Sequence, residues 1–285
     1  MEEASVLNNL KTAMLLAALG ALCMFIGSFW GTTGLVIGLV IGLAFTVGSY
    51  WFSDKLAIRS ARAVEVTEAQ MPQYHGIVAE LAARASIPKP RLYVSPQPQP
   101  NAFATGRNPD NAAVCVTEGL LKTLSWEEIQ GVLAHELSHV RNRDILIGSV
   151  AAAVAMGITF VASMGRWALI FGGGQGGNSR DNPIGGLLML ILAPIAAAMI
   201  QMAISRSREF EADASAARML GTGEPLARAL ERLDDAAARV PSDVNPAEAS
   251  NYIVNPLRGR QVTKLFSTHP PVEERIVRLR TKAWS

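Results

Sequence analysis

The sequence predicts a mainly α-helical membrane protein that carries a small antiparallel β-sheet. Three observations lead to this expectation. Long apolar stretches without a charged residue recur along the chain, a group of short β-prone runs lies between turn signals, and a capped polar helix bears two histidines and a glutamate. Composition agrees, since 285 residues with 49% hydrophobic and only 18% charged side chains do not suit a simple soluble globule. The net charge of +2, with no basic stripe interleaved with aromatics, gives no footprint for a nucleic-acid partner.

The first two apolar segments, 12–30 and 35–52, contain no charged residue. Each is close to the roughly 20 residues that span a hydrocarbon core. Only 31–34 separate them, so they are expected to form a transmembrane hairpin. The first does not read as a cleaved signal peptide, because its apolar run is long, no basic cluster precedes it and no A-x-A site follows. A third candidate covers 145–164, with an extension to 171, and a fourth covers 184–205, with the flexible polar connection "GGGQGGNSRDNP" between them; the alternative for this pair is a buried helical hairpin inside a soluble core. The small residues of the third suit close helix packing in lipid.

Flanking charges set the orientation. Lys55, Arg59 and Arg62 follow the second segment, Arg141 and Arg143 precede the third, and Arg206 and Arg208 follow the fourth; the opposite loops hold little that is basic apart from Arg180. The positive-inside rule therefore puts the polar parts in the cytoplasm. The expected organisation is an N-terminal hairpin at 1–55, a first cytoplasmic piece at 56–144, a second hairpin at 145–205 and a second cytoplasmic piece at 206–285. Cys23 and Cys115 lie far apart with no CxxC, which reads as two small buried thiols in a reducing compartment.

In the first cytoplasmic piece a helical pattern runs through 66–85 and stops at "IPKP". The β-prone "RLYV" follows, then "SPQPQP", then "NAFAT" and "AAVCVT" on either side of "GRNPDN". These runs predict the small antiparallel sheet. His75 is expected on a solvated helix face.

Ser125 then opens a helix, because Glu128 stands three residues after it in a capping-box pattern. On that helix lies His135-Glu136-Leu137-Ser138-His139, an H-E-x-x-H pattern. At about 100° per residue the two histidines lie about 40° apart and one turn apart, so both imidazoles can reach one metal. Glu136 lies about 60° beyond His139, where a general base for an activated water stands.

A catalytic zinc needs a third protein ligand and an open fourth position. "SREFEAD", directly after the fourth apolar segment, offers Glu209, Glu211 and Asp213. Helical phase puts Glu209 and Asp213 on one face and Glu211 about 200° from Glu209. One of the two co-facial acids is expected to bind metal while the other orients an imidazole.

H-E-L-S-H at 135–139 and R-E-F-E-A-D at 208–213, with "PNAFATG", "VTEGLL" and the late "STHPPVEERI", resemble the HtpX family of bacterial membrane zinc metalloproteases, relatives of the type I CAAX prenyl proteases. The resemblance covers essentially the whole chain, with the motifs in the family's order. It implies a gluzincin-like endopeptidase domain assembled around transmembrane hairpins at the cytoplasmic face of a bacterial inner membrane. The implied substrates are damaged membrane proteins or unfolded polypeptides. It further implies one zinc ion per chain held by His135, His139 and Glu209, with Glu136 as general base and Asp213 as the supporting aspartate.

By the same resemblance "NAFAT" becomes an edge strand beside the metal, which makes Asn101 and Ala102 substrate-binding candidates. His269 becomes a candidate hydrogen-bond donor to the oxyanion of the tetrahedral intermediate; Pro270 and Pro271 beside it also suit a first helical turn. Three rival readings are an intramembrane metalloprotease, a prenyl-protein protease and a membrane scaffold without catalysis. The charges at Glu127, Glu128, Arg141, Arg143 and Asp144 around the motif argue against a site within lipid, and the chain has no further apolar segments of the prenyl-protease kind.

Overall fold

The structure is a computed structural model that describes residues 31–146, 206–239 and 270–284, with positions 10, 13, 14, 16, 17, 20, 21, 23–25 and 28. The third and fourth apolar segments, apart from 145 and 146, lie outside the described residues, as does His269.

Helix α1 (Gly31–Ser60) carries no charge before Asp54. Its apolar side chains are not gathered in a stripe, and Val36, Ile37, Val40, Leu43 and Val47 are all exposed. Gly38 and Gly42 form its contact with the preceding apolar segment. A Cβ at Gly38 would collide with the Cys23 carbonyl oxygen, and one at Gly42 would lie 3.1 Å from the Gly20 Cα. Among the described residues no helix is long and apolar enough to cross a membrane, so the expected spans are not established by the fold.

Four strands follow: β1 (Val64–Glu65), β2 (Arg91–Ser95), β3 (Ala102–Gly106) and β4 (Ala112–Thr117), in the spatial order β1-β2-β4-β3. Here the expectation of an antiparallel sheet is corrected to a mixed one. β1 pairs antiparallel with β2 and β3 antiparallel with β4, but β2 and β4 run parallel, with Leu92 beside Val114 and Val94 beside Val116. The reason is topological. Parallel neighbours need a connection of a dozen or more residues, and β3 itself supplies it. The chain leaves β2 through the proline-rich turn, descends as β3 at the edge, and returns through the 3-10 turn Pro109–Asn111 to insert β4 between them.

Alternation gives the sheet two covered faces. Leu92, Val114 and Val116 join the main core with Tyr74, Val78 and Leu81 of α2 (Pro72–Ala85), whereas Tyr93, Ala113 and Cys115 pack on Ile58 and Ala63 at the end of α1. His75 is not solvated as expected: it is half-buried, with its Nε2 2.9 Å from the Val66 carbonyl oxygen. Both cysteines are free; Cys115 is buried and Cys23 half-buried.

The short α3 (Glu118–Thr123) leads into α4 (Trp126–Arg141), the helix at the centre of the fold. The capping box forms: the Ser125 N–H donates to Glu128 Oε2 at 2.8 Å, and Ser125 Oγ accepts from the Glu128 N–H at 3.4 Å. Ile129, Val132, Leu133, Leu137 and Val140 are fully buried, each contributing about 1.5–3 kcal/mol of apolar burial. Gly131 permits close approach by α6 (Glu224–Arg239), since a Cβ there would lie 2.5 Å from the Leu226 nitrogen. α5 (Arg206–Leu220) and α7 (Val272–Arg280) complete the packing, and β3 lies against α4 on its other flank.

Candidate metal centre

The buried α4 would be expected to carry only apolar side chains, because polar groups out of water are destabilising unless they are engaged. His135, at 2% exposure, and Glu136, at 6%, break that pattern. Their engagement explains the site.

The imidazole rings of His135 and His139 lie edge to face, 4.7 Å between centroids, and their Nε2 atoms approach to 3.2 Å. Glu209, brought in on α5, places Oε2 at 3.7 Å from His135 Nε2 and Oε1 at 3.6 Å from His139 Nε2. One donor atom from each of the three residues lies within 4.8 Å of the others. Two imidazole nitrogens at about 2.0–2.1 Å from one tetrahedral zinc would be about 3.3 Å apart. The spacing fits a metal of that kind, which the two nitrogens 3.2 Å apart would hold together.

The far side of each imidazole meets a carboxylate. Asp213 Oδ1 lies 2.9 Å from His135 Nδ1, although off the line of a well-aligned hydrogen bond. His139 Nδ1 is 3.0 Å from Asp144 Oδ2. Such contacts fix which ring nitrogen is free to bind a metal. Asp144 reaches His139 because α4 ends in a Schellman turn: Arg143 adopts φ +58°, its N–H donates to Val140 O, and the Asp144 N–H donates to His139 O at 3.2 Å. Asp213 is held in turn by Arg275 of α7, with Nε to Oδ2 at 2.8 Å and Nη2 to Oδ1 at 2.7 Å. Arg275 is fully buried, and its Nη1 also lies 3.7 Å from Glu209 Oε2.

Glu136 stands beside the triad and accepts a hydrogen bond from the Ala104 N–H of β3 at 2.9 Å. Burial pushes its carboxyl above the ordinary value; the two imidazoles oppose that shift, and Glu209 adds to it. Burial would likewise raise Asp213, but the Arg275 guanidinium and His135 hold it down to about 2. At His139 burial lowers the pKa, yet Asp144, Glu209 and Glu136 together carry it up to about 10. The neighbourhood thus favours positive charge. Four carboxylates, Glu136, Asp144, Glu209 and Asp213, face two guanidiniums, Arg208 and Arg275, and a divalent cation would balance them.

Glu209 and Asp213 share the buried face of α5, at 6% and 3% exposure, while Glu211 is exposed and pairs with Arg218. Ala102 is buried at the start of edge strand β3. Asn101 is buried too, and Thr117 takes up its main chain: Asn101 N–H donates to Thr117 Oγ1, and Asn101 O accepts from the Thr117 N–H, both at 2.9 Å. The outward-facing Ala104 N–H, which sequence reading missed, is the main-chain group that meets Glu136. Asp144 and Arg275 were also missed. No glycine marks the turn at 143, and an arginine between glutamate and isoleucine on a polar helix reads as a surface residue.

The pattern of Peptidase family M48 matches residues 68–283. A protein of Desulfatibacillum aliphaticivorans named Protease HtpX homolog is 50% identical over 276 residues, covering 95% of this chain and 89% of that protein. Proteins of the same name from Pelotomaculum thermopropionicum and Syntrophobacter fumaroxidans are 50% and 51% identical over 280 residues, covering 97% and 96% of this chain and 100% and 99% of theirs. Among solved structures, the crystal structure of S. mikatae Ste24p matches with a TM-score of 0.51 and 19% identity, over 98% of this chain and 67% of that one. At that identity the likeness is one of fold.

Proposed function

The chain belongs to peptidase family M48 and is a metalloendopeptidase, and from that premise we propose that it uses one zinc ion held by His135, His139 and Glu209 to cleave damaged membrane proteins at the cytoplasmic face of a bacterial inner membrane. The observation that carries the reading is the convergence of those three residues within 4.8 Å, with Glu136 immediately beside them. Two imidazoles and a carboxylate suit zinc, and a three-ligand set leaves a position for chemistry.

Zinc, when bound, supplies a Lewis acid that polarises the scissile carbonyl and makes a water acidic near neutral pH. The protein's own groups then divide the work. Glu136 accepts the proton of the attacking water and delivers it to the leaving amine. Its hydrogen bond to the Ala104 N–H aims the carboxylate and couples it to the free edge of β3. That edge receives the substrate as an added strand, main chain to main chain, with Ala102 at its start; Asn101 acts from the connection before it. Asp213 and Asp144 orient His135 and His139, and Arg275 keeps Asp213 ionised and in place. His269 is assigned to the oxyanion by its motif context.

Membrane attachment is supported by α1. Before Asp54 α1 carries no charged residue, and it exposes Val36, Ile37, Val40, Leu43 and Val47 without gathering its apolar side chains on one face. The close glycine contact of Gly38 and Gly42 with the segment around Cys23 is the packing expected of paired helices in lipid. The end of α1 lies directly against the sheet, so the zinc helix would work close to where substrate chains leave the bilayer. The test is digestion of casein by the full chain in detergent. Chelation should abolish cleavage and zinc should restore it; cleavage that survives complete metal removal would overturn the reading.

A further inference from the structure

A second concave region lies on the face of the sheet turned away from α4. It is a cavity of about 450 Å³ between the last turns of α1 and the start of β2, within the size range of small-ligand sites. Lys55 and Arg59 stand one helical turn apart on α1. The helix then ends in a Schellman turn in which Arg62, at φ +51°, donates its N–H to Arg59 O while the Ala63 N–H donates to Ile58 O, both at 3.0 Å. That turn brings Arg62 back to the same cavity, and Arg91 of β2 closes it from the opposite side. Ile58 and Ala63, packed on Tyr93 and Cys115, provide an apolar base.

Charge in this cavity is unbalanced. The one acidic group lining it, Asp54, is buried and already accepts from Arg91 Nη2 at 3.2 Å. Arg91 also donates from Nη1 to the Tyr93 hydroxyl at 3.1 Å, which itself donates to Glu65. Among the described residues no carboxylate lies within ion-pair distance of Lys55, Arg59 or Arg62. Three cations that converge on one cavity with no ion-pair partner among the described residues match a phosphate group, which guanidinium forks bind in parallel hydrogen bonds.

Depth supplies the source of that phosphate. Trp51 and Phe52 are exposed on α1 just before the cations, where aromatic side chains mark a membrane interface. Arg107 stacks 4.6 Å from the Trp51 ring, and Lys55 lies 5.5 Å from that of Phe52. The cavity is therefore at headgroup level if α1 enters lipid. We propose that this cavity binds the phosphate of an anionic phospholipid headgroup, holding the sheet and its edge strand against the cytoplasmic leaflet. The choice of lipid rests on the membrane reading above; the cationic cavity does not.

The test is calorimetric titration of the full chain in a neutral detergent with dihexanoyl phosphatidylglycerol, dihexanoyl phosphatidylcholine, inorganic phosphate and a phosphoserine peptide. Phosphatidylglycerol should bind saturably and more tightly than the other three. Arg59→Gln/Arg62→Gln should weaken it at least tenfold and Arg59→Gln alone severalfold, with casein cleavage unchanged as the check on folding. Lys89→Gln/Lys122→Gln, which removes the same charge elsewhere, should leave it intact. Equal losses in the two double variants, or no saturable binding, would overturn the site. Inorganic phosphate or the peptide binding as tightly as the lipid would overturn the headgroup assignment. A carbonate wash of native membranes reads the membrane premise separately: release of the chain sinks that premise, while the titration decides the cavity.

Discussion

Arg275 and Asp213, 62 positions apart in sequence, form a two-pronged ion pair, 2.7 and 2.8 Å long, on the far side of His135 from the metal position. Both partners are buried. Removing one member of such a pair leaves an uncompensated buried charge, at about 3–5 kcal/mol. Arg275→Met should therefore lower stability on that scale and weaken zinc, read by denaturant unfolding and metal titration. Arg275→Lys, which keeps the charge but loses the fork, should be intermediate. Equal stability of the Met variant would make the pair incidental.

Glu136→Gln should abolish peptide cleavage while zinc content stays near one per chain, since Glu136 stands beside the donor set and hydrogen-bonds Ala104. Metal analysis of the purified variant checks this. A variant that loses zinc would make Glu136 a ligand.

The acids of α5 should separate by face. Glu209→Ala should lose zinc and activity together. Asp213→Ala, and Asp144→Ala behind His139, should weaken zinc by about ten- to a hundredfold, the usual scale for groups that orient a ligand. Glu211→Ala, at an exposed pair with Arg218, should be nearly silent. Metal loss in the Glu211 variant with retention in the Glu209 variant would reverse the assignment.

The pH behaviour of Asp213 has a fixed sign. Its folded pKa of about 2 lies below the ordinary aspartate value of about 3.9. Its stabilisation is therefore complete above about pH 4 and is lost as pH falls toward 2. Acid unfolding of the metal-free chain should shift upward on Arg275→Met, because the partner that depresses the Asp213 pKa is gone. An unchanged acid midpoint would show that Asp213 does not sense Arg275.

His269→Ala should retain metal and lose roughly a hundredfold in rate, the scale of one oxyanion donor. Topology is checked with a membrane-impermeant thiol reagent on intact cells: Asn178→Cys should react and Asp110→Cys should stay protected until the membrane is opened. Labelling of the Asp110 variant from outside would invert the orientation.

The sequence by itself determined what short-range geometry controls. The 100° step of a helix puts His135 and His139 together and separates Glu211 from Glu209 and Asp213, and the Ser125–Glu128 cap follows from neighbours three residues apart. Those relations survive any packing that keeps the helices. Tertiary structure alone decided the rest. The parallel β2–β4 pairing arose because β4 inserts beside a strand it does not follow, and no local pattern encodes which neighbour a strand will find. Asp144 reaches His139 through a left-handed arginine where the turn chemistry favours glycine. Arg275 lies in a polar helical sequence yet is the most deeply buried cation of the site, because the docking of α7 onto α5 brings it opposite a buried carboxylate. Burial is a property of the assembled layers, and only in their assembled form do Asp144, Asp213 and Arg275 show what holds the two imidazoles in place.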